Sequence, residues 1–113
     1  HHNRKVDAPS GTAHMLFQAV KEVRPDAVAH CGRAGEGKRE KNEIGIHSIR
    51  GGTIVGEHEV IFAGENETIS LHHSAQSREV FAAGAVRAAM FLAQIGRAGK
   101  YNMDDLISTY LDI

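Results

Sequence analysis

The sequence has 113 residues, of which 42% are hydrophobic and 24% charged, and this is enough for one small globular domain. Its formal net charge of -1 gives no strong positive electrostatic field that would attract nucleic acid or an anionic membrane. Neither is therefore expected as a partner. No apolar run is long enough to span a bilayer. The single cysteine, Cys31, excludes an intrachain disulfide, which favours a reducing cytoplasm, and its side chain is expected to be buried or half-buried.

The first part of the chain predicts a loop followed by an amphipathic helix. Residues 1–9 have the composition of a loop, and Ser10 is a good N-cap. Apolar residues then recur at helical spacing for about three to four turns, until Pro25 ends the pattern. A short strand is predicted at residues 27–31.

The middle of the chain predicts strands joined by tight turns. Residues 32–43 contain three glycines and seven charged residues, which is typical of a surface loop. Strand patterns follow at residues 44–50, 53–63 and 67–75. Gly51-Gly52 and the turn at 64–66 predict successive hairpins, and hairpins pair antiparallel strands.

The last part of the chain predicts a long alanine-rich helix capped by Ser77, and then a short helix or an extended tail at residues 104–113. The predicted fold is therefore α+β, a mixed and mostly antiparallel sheet with helices on one face. The other face also carries apolar residues, which are Ile49, Ile54 or Val55, and Ile61 or Phe62. This favours burial of that face against another subunit of an oligomer. The alternative is that these apolar residues belong to a core strand within one monomer.

The opening stretch, HHNRKVDAPSGTA, contains the residues best suited to chemistry. The amides of Gly11 and Thr12 fall in the first helical turn, where they have no intrahelical acceptor and can bind an anion. Lys5 adds a cation, and His1 and His2 can donate or accept a proton near neutral pH. The combination favours a small anionic substrate and a protonation step without identifying the reaction. A purification tag and an ordinary capped helix are the alternatives.

Several histidines raise the question of a metal site, and they are His1, His2, His58, His72 and His73. The sequence has no H-x-x-x-H spacing on a helix and no cysteine pair. Neighbouring residues on a strand point to opposite faces, which scatters these side chains. We expect no metal, and we interpret the last three as polar strand residues.

The motif H-H-x-x-K-x-D-x-P-S-G-T-A resembles the substrate motif of the dihydrodipicolinate reductase family. The resemblance continues through residues 32–58, 73–81 and 84–92. It implies an N-terminal Rossmann domain that binds NADH or NADPH, and a C-terminal α+β domain for substrate binding and tetramerisation. Residues 1–113 correspond to the second domain. No G-x-G-x-x-G follows a strand, so the cofactor domain is expected to be absent from this chain.

The resemblance also implies roles for individual residues. The catalytic pair is His1, as the general acid, and Lys5, as its partner. Substrate binding is implied for His2, Lys5, Gly11 and Thr12. Proximity to the nicotinamide cofactor is implied for Arg78 and Phe81.

The implied function is an oxidoreductase that converts 4-hydroxy-tetrahydrodipicolinate, a cyclic dicarboxylate, to tetrahydrodipicolinate in lysine and diaminopimelate biosynthesis. The expected enzyme is a cytoplasmic homotetramer, and this chain alone is expected to be inactive. The alternative is a stand-alone, non-catalytic module of the same fold that binds an anion or supports assembly. A glycine-rich strand–turn–helix upstream would distinguish the enzyme from the module.

Overall fold

The fold was examined in a computed structural model, which describes residues 1–111. Contacts within the chain divide it into two units, His1–Gln76 and Ser77–Ile113. Each unit is described by itself. The content of helices and strands confirms the predicted α+β class.

The first unit begins with helix α1, which spans Gly11–Val23. The side chain of Ser10 caps it, because the Ser10 Oγ accepts a hydrogen bond of 3.1 Å from the Ala13 amide. The helix ends at Arg24, whose amide donates to the carbonyl of Val20. The predicted cap and end are thus confirmed, and both depend on residues within one turn of the helix terminus.

Four strands complete the first unit as two separate pairs. Strand β1 (Val28–Cys31) pairs in parallel with β2 (Glu43–Ile46). Strand β3 (Gly56–Ala63) pairs antiparallel with β4 (Thr68–Ala75) around the predicted turn at 64–66. Helix α1 lies against β3.

The hairpin predicted at Gly51-Gly52 is wrong. Strand β2 ends at Ile46, and the part of the chain around residues 49–52 bonds to residues 1–3 instead of to a following strand. The main-chain groups of the predicted turn therefore bond to the opening loop and do not close a hairpin. The predicted mostly antiparallel sheet is, within residues 1–111, one parallel and one antiparallel pair.

Burial in the first unit centres on α1 and the strand ends, where Phe17, Ala27 and Ala75 are buried. Cys31 is exposed, which corrects the expectation that it is buried or half-buried. It is the last residue of β1, and a pair of strands leaves much of its surface to solvent.

The second unit contains helices α2 (Glu79–Ile95) and α3 (Met103–Leu111), which contact each other. The N-cap of α2 is Arg78, whose side chain forms no capping bond, so the prediction of Ser77 as the cap is wrong by one residue. The Ser77 Oγ does accept a hydrogen bond of 3.1 Å from the Glu79 amide. Helix α3 confirms the helical alternative for residues 104–113 as far as Leu111, and residues 112–113 lie outside the described part. Within the described part, no helix combines the length and the apolar character needed to cross a membrane.

Candidate functional site

The opening loop is fixed by main-chain hydrogen bonds to the part of the chain that precedes β3. The α-amino group of His1 donates to the carbonyl of Ile49 at 3.0 Å. The amide of Gly51 donates to the carbonyl of His1 at 3.0 Å, and the amide of Asn3 to the carbonyl of Gly52 at 3.1 Å. The backbone of His1 is therefore held from both sides.

Arg50 strengthens this connection with its side chain. One terminal guanidinium nitrogen donates to the carbonyl of Ile49 and the other to the carbonyl of Asp7, each at 3.0 Å. Its Nε is buried and has no hydrogen-bond partner in the described part of the chain. Arg50 thus connects Asp7 in the opening loop to the same Ile49 carbonyl that accepts from the α-amino group of His1.

Three side chains meet beside this loop. The rings of His1 and His58 pack edge to face, with centroids 5.0 Å apart and planes at 69°. The Nε2 of His58 lies 3.2 Å from the Oγ of Ser10, a buried residue. The cap of α1, strand β3 and the opening loop therefore converge on His58.

These residues border a cavity of about 470 Å³ in the first unit. Its polar lining includes His1, Ser10, Arg50, Glu57 and His58. Its apolar lining comes from α1, β2 and the residues that follow β2, including Leu16, Phe17, Val20, Ile44, Ile46, Ile49 and Ile54. A mostly apolar hollow with a few convergent polar groups is typical of a small-molecule site.

The electrostatics of this cluster favour a neutral His58. Burial of the ring lowers the pKa of His58 below its ordinary value, and the positive charges of the α-amino group, His73, Arg50 and Lys5 lower that pKa further. At neutral pH the ring is uncharged, so one of its nitrogens can accept a hydrogen bond.

Lys5 lies in the same loop but forms an ion pair with Asp7. The Lys5 Nζ is 2.8 Å from the Asp7 Oδ1, and 21% of the lysine side chain is exposed. The hydrogen bond from Lys5 holds the pKa of the Asp7 carboxyl below its usual value. Lys5 is therefore half-buried and held by Asp7 within the opening loop.

Gly11 and Thr12 are exposed at the start of α1. The Ser10 side chain accepts from the amide of Ala13, and the Ser10 carbonyl accepts from the amide of His14. The amides of Gly11 and Thr12 come before these two bonded amides, in the part of the first turn that has no intrahelical acceptor. A Cβ added at Gly11 would meet no atom within 4 Å. An anion can therefore approach the backbone closely here.

The predicted site residues are brought together only in part. His1 borders the cavity, whereas His2, Lys5, Gly11 and Thr12 are not among its lining residues. The Nδ1 of His2 accepts from the amide of Arg4 at 3.2 Å, which orients that ring locally.

Arg78 and Phe81 lie in the second unit. Arg78 immediately precedes α2, and its carbonyl accepts from the amide of Phe81 at 3.0 Å. The Phe81 ring is 53% exposed at the first turn of that helix.

Two residues of the site, Arg50 and His58, were missed as functional candidates. His58 was interpreted as a polar strand residue, and Arg50 was part of a predicted strand. The sequence does contain a weak indication that His58 is functional, because three ionisable residues, Glu57, His58 and Glu59, stand together on a strand that is otherwise apolar. The contacts that recruit them join residues 48 positions apart for His58 and 43 for Arg50. Among the described residues, no group of three or more His, Cys, Asp or Glu side chains could hold a metal ion.

Comparisons with known proteins identify the relatives of this chain. The profile of the family described as "Dihydrodipicolinate reductase, C-terminus" matches residues 1–107. The 4-hydroxy-tetrahydrodipicolinate reductase of Clostridium novyi is 59% identical over 110 residues, which cover 96% of this chain and 43% of the relative. The enzyme of the same name from Caldanaerobacter subterraneus is 57% identical over 110 residues, 95% of this chain and 43% of the relative.

A solved structure agrees with this relationship. Dipicolinate-bound dihydrodipicolinate reductase from Paenisporosarcina sp. TG-14 matches with a TM-score of 0.59 and 33% identity, over 76% of this chain and 34% of that one. The chain thus spans less than half the length of the relatives it matches. The chain belongs to the family of dihydrodipicolinate reductase C-terminal domains.

Proposed function

We propose that this chain is the substrate-binding half of a 4-hydroxy-tetrahydrodipicolinate reductase that acts in lysine and diaminopimelate biosynthesis. Family membership and the names of the curated relatives support this function. The observation that carries it is the placement of the His1 ring at a cavity wall by a backbone held from both sides. The reaction consumes a proton, and His1 is suited to supply it.

Substrate binding is assigned to the opening loop and the start of α1. The substrate is a dicarboxylate, and the solved relative is named as bound to dipicolinate, which is also a dicarboxylate. One carboxylate would accept hydrogen bonds from the amides of Gly11 and Thr12 and from the Thr12 hydroxyl. Lys5 would exchange Asp7 for a substrate carboxylate, and His2 would contact the substrate from the same loop.

Proton transfer is assigned to His1, with Lys5 as its partner. Atom balance for the proposed reaction requires one proton and one NAD(P)H, and it releases water together with the reduced ring. A protonated His1 imidazole can give this proton to the reacting part of the substrate. Lys5 would stabilise negative charge on the substrate while that proton moves.

The family implies a nicotinamide cofactor. Within this chain, contact with one edge of that cofactor is assigned to two residues at the start of α2. The exposed Phe81 ring offers a flat apolar surface, and Arg78 offers a cation beside it. The sequence contains no G-x-G-x-x-G after a strand, so most of the dinucleotide would be held by the part of the enzyme outside this chain. When bound, NADH or NADPH supplies the hydride.

The proposed assembly is a homotetramer in the cytoplasm. On β3–β4, Phe62, Ile69 and Leu71 are 45%, 58% and 62% exposed on one face, and Ile61 is 58% exposed on the other. Apolar surface of this kind on both faces favours burial against another subunit. A single cysteine agrees with a reducing compartment.

The experiment compares this chain with the longer protein that contains it. The longer protein should oxidise NADH or NADPH when 4-hydroxy-tetrahydrodipicolinate is added, and the chain alone should not. Calorimetry of the chain alone should detect binding of neither NADH nor NADPH. Micromolar binding of either cofactor to these 113 residues, or no reductase activity in the longer protein, would contradict the proposal.

A further inference from the structure

We propose that His58 is a positioning residue that fixes the ring of the general acid His1, and that Ser10 ties this pair to the first turn of α1. The inference rests on the proposed function, in which His1 donates a proton and α1 binds a carboxylate.

The first support is the ring contact. The imidazoles of His1 and His58 lie 5.0 Å apart in an edge-to-face arrangement, within the range in which aromatic rings attract each other. The main-chain bonds of His1 fix its backbone but leave its side-chain torsions free. Among the described contacts, the His58 ring is the one that restricts the orientation of the His1 ring.

The second support is the hydrogen bond between His58 and Ser10. The Ser10 Oγ already accepts from the Ala13 amide, so its hydroxyl proton is available to donate to Nε2 of His58 at 3.2 Å. Ser10 is buried, so its hydroxyl has little access to water as an alternative partner.

The third support is charge. The charges that lower the pKa of His58 are positive, and those that do not depend on the α-amino group come from His73 on β4, Arg50 and Lys5. Glu57 and Glu59, its neighbours on β3, also line the cavity, but alternation along the strand directs their side chains away from that of His58, and Glu57 accepts a hydrogen bond from Ser74. Burial is the largest cause of the lowered pKa of His58, and this cause does not depend on the α-amino charge. A neutral His58 allows His1 to carry the proton without a second cation against its ring.

The arrangement connects the two parts of the proposed chemistry. Ser10 sets the geometry of the turn whose Gly11 and Thr12 amides would bind a substrate carboxylate. The same hydroxyl holds His58, and His58 contacts His1. The carboxylate site and the proton donor are therefore held in register by one short chain of contacts.

Two substitutions in the full-length enzyme separate the ring contact from the hydrogen bond. His58→Gln keeps a polar group near the Ser10 hydroxyl but removes the ring, whereas His58→Phe keeps a ring but removes the hydrogen bond and the titration. His14→Gln is the matched control, because His14 is an exposed histidine of α1. For each variant, kcat and KM are measured as functions of pH.

We expect His58→Gln to lower kcat about tenfold with KM within about twofold, and His58→Phe to retain more of kcat than His58→Gln. As pH falls, protonation of His58 in the wild type should set two cationic rings against each other and reduce kcat. This decline on the acid side should be absent from both His58 variants and present in the control. A merely structural His58 would change stability and KM without removing this part of the pH profile.

The two proposals fail in different ways. A wild-type enzyme without reductase activity, or a His1→Ala variant with full kcat, overturns the proposed function. If the wild type and His1→Ala behave as proposed but the kcat and pH profile of the His58 variants match those of the wild type, the positioning role alone is overturned.

Selective ¹³C labelling of histidine gives an independent measurement of the ring contact. Loss of the His58 ring should shift the His1 signal in the folded protein. An unchanged His1 signal contradicts the contact.

Discussion

Among single residues, Lys5 has a proposed role in substrate binding, and its ion pair with Asp7 bears on that role. Its ammonium is held 2.8 Å from Asp7, and the lowered pKa of Asp7 keeps that carboxyl ionised at neutral pH. A group with a lowered pKa stabilises its partner above that pKa and loses the interaction as pH falls through it. The pair is therefore complete near pH 7, where, in the proposed function, a substrate carboxylate would compete with Asp7 for Lys5.

Lys5→Ala should lower kcat and raise KM together in the full-length enzyme, because Lys5 is assigned to substrate binding and to support of proton transfer. Asp7→Asn should lower KM without a loss of kcat, since it removes the competing carboxylate. Steady-state kinetics on both variants tests the assignment. A Lys5→Ala variant with wild-type parameters would remove Lys5 from the site.

At the start of α1, Thr12→Val should mainly raise KM, because it removes one hydroxyl from a site that keeps its amides. Gly11→Ala should also raise KM while leaving the melting temperature near that of the wild type, since its Cβ meets nothing within 4 Å. His2→Ala should resemble Thr12→Val if His2 only binds substrate. A KM that stays constant in all three variants would place the carboxylate elsewhere.

Local sequence explains why some site residues were predictable and others were not. Ser10 as a cap can be read from its neighbours, because capping bonds span three residues. His58 and Arg50 enter the site through contacts between distant parts of the chain. Sequence periodicity placed His58 on a strand but did not indicate which residue its ring would meet.

Among the elements, α1 is capped by Ser10, whose hydroxyl also bonds to His58. Ser10→Ala removes the hydrogen bond to Ala13, which costs about 1 kcal/mol in typical helices, and it also removes the partner of His58. The matched control is Ser77→Ala, which removes the exposed side-chain hydrogen bond to the Glu79 amide. Urea unfolding should show the larger loss of stability for Ser10→Ala. Equal losses in the two variants would mean that the bond to His58 contributes nothing to folding.

The elements also show where prediction from sequence fails physically. The helices were predicted well because caps and periodicity are local signals, as at Ser10 and at the end of α1 before Pro25. Strand pairing was predicted less well, because it depends on which main-chain groups meet in space. Gly51-Gly52 resembled a hairpin turn, yet both residues bond to the opening loop.

For the whole molecule, the exposed apolar surface of β3–β4 predicts assembly. Light scattering at micromolar concentration should show a dimer or a tetramer. Ile69→Glu should weaken that assembly, because it places a charge among Phe62 and Leu71 on one face of the strand pair. Glu65→Gln, in the exposed turn between the strands, is the control. A wild-type monomer at high concentration would contradict the prediction.

The central claim is that the whole enzyme uses His1 as its general acid, and steady-state kinetics of the full-length His1→Ala variant tests it most directly. Because a general acid acts in the transition state, kcat should fall about a hundredfold or more while KM changes little. His2→Ala measured in parallel should raise KM and retain most of kcat. If His1→Ala left kcat intact and raised KM instead, His1 would be a substrate ligand, and a collapse of kcat in His2→Ala would assign the proton to the second histidine.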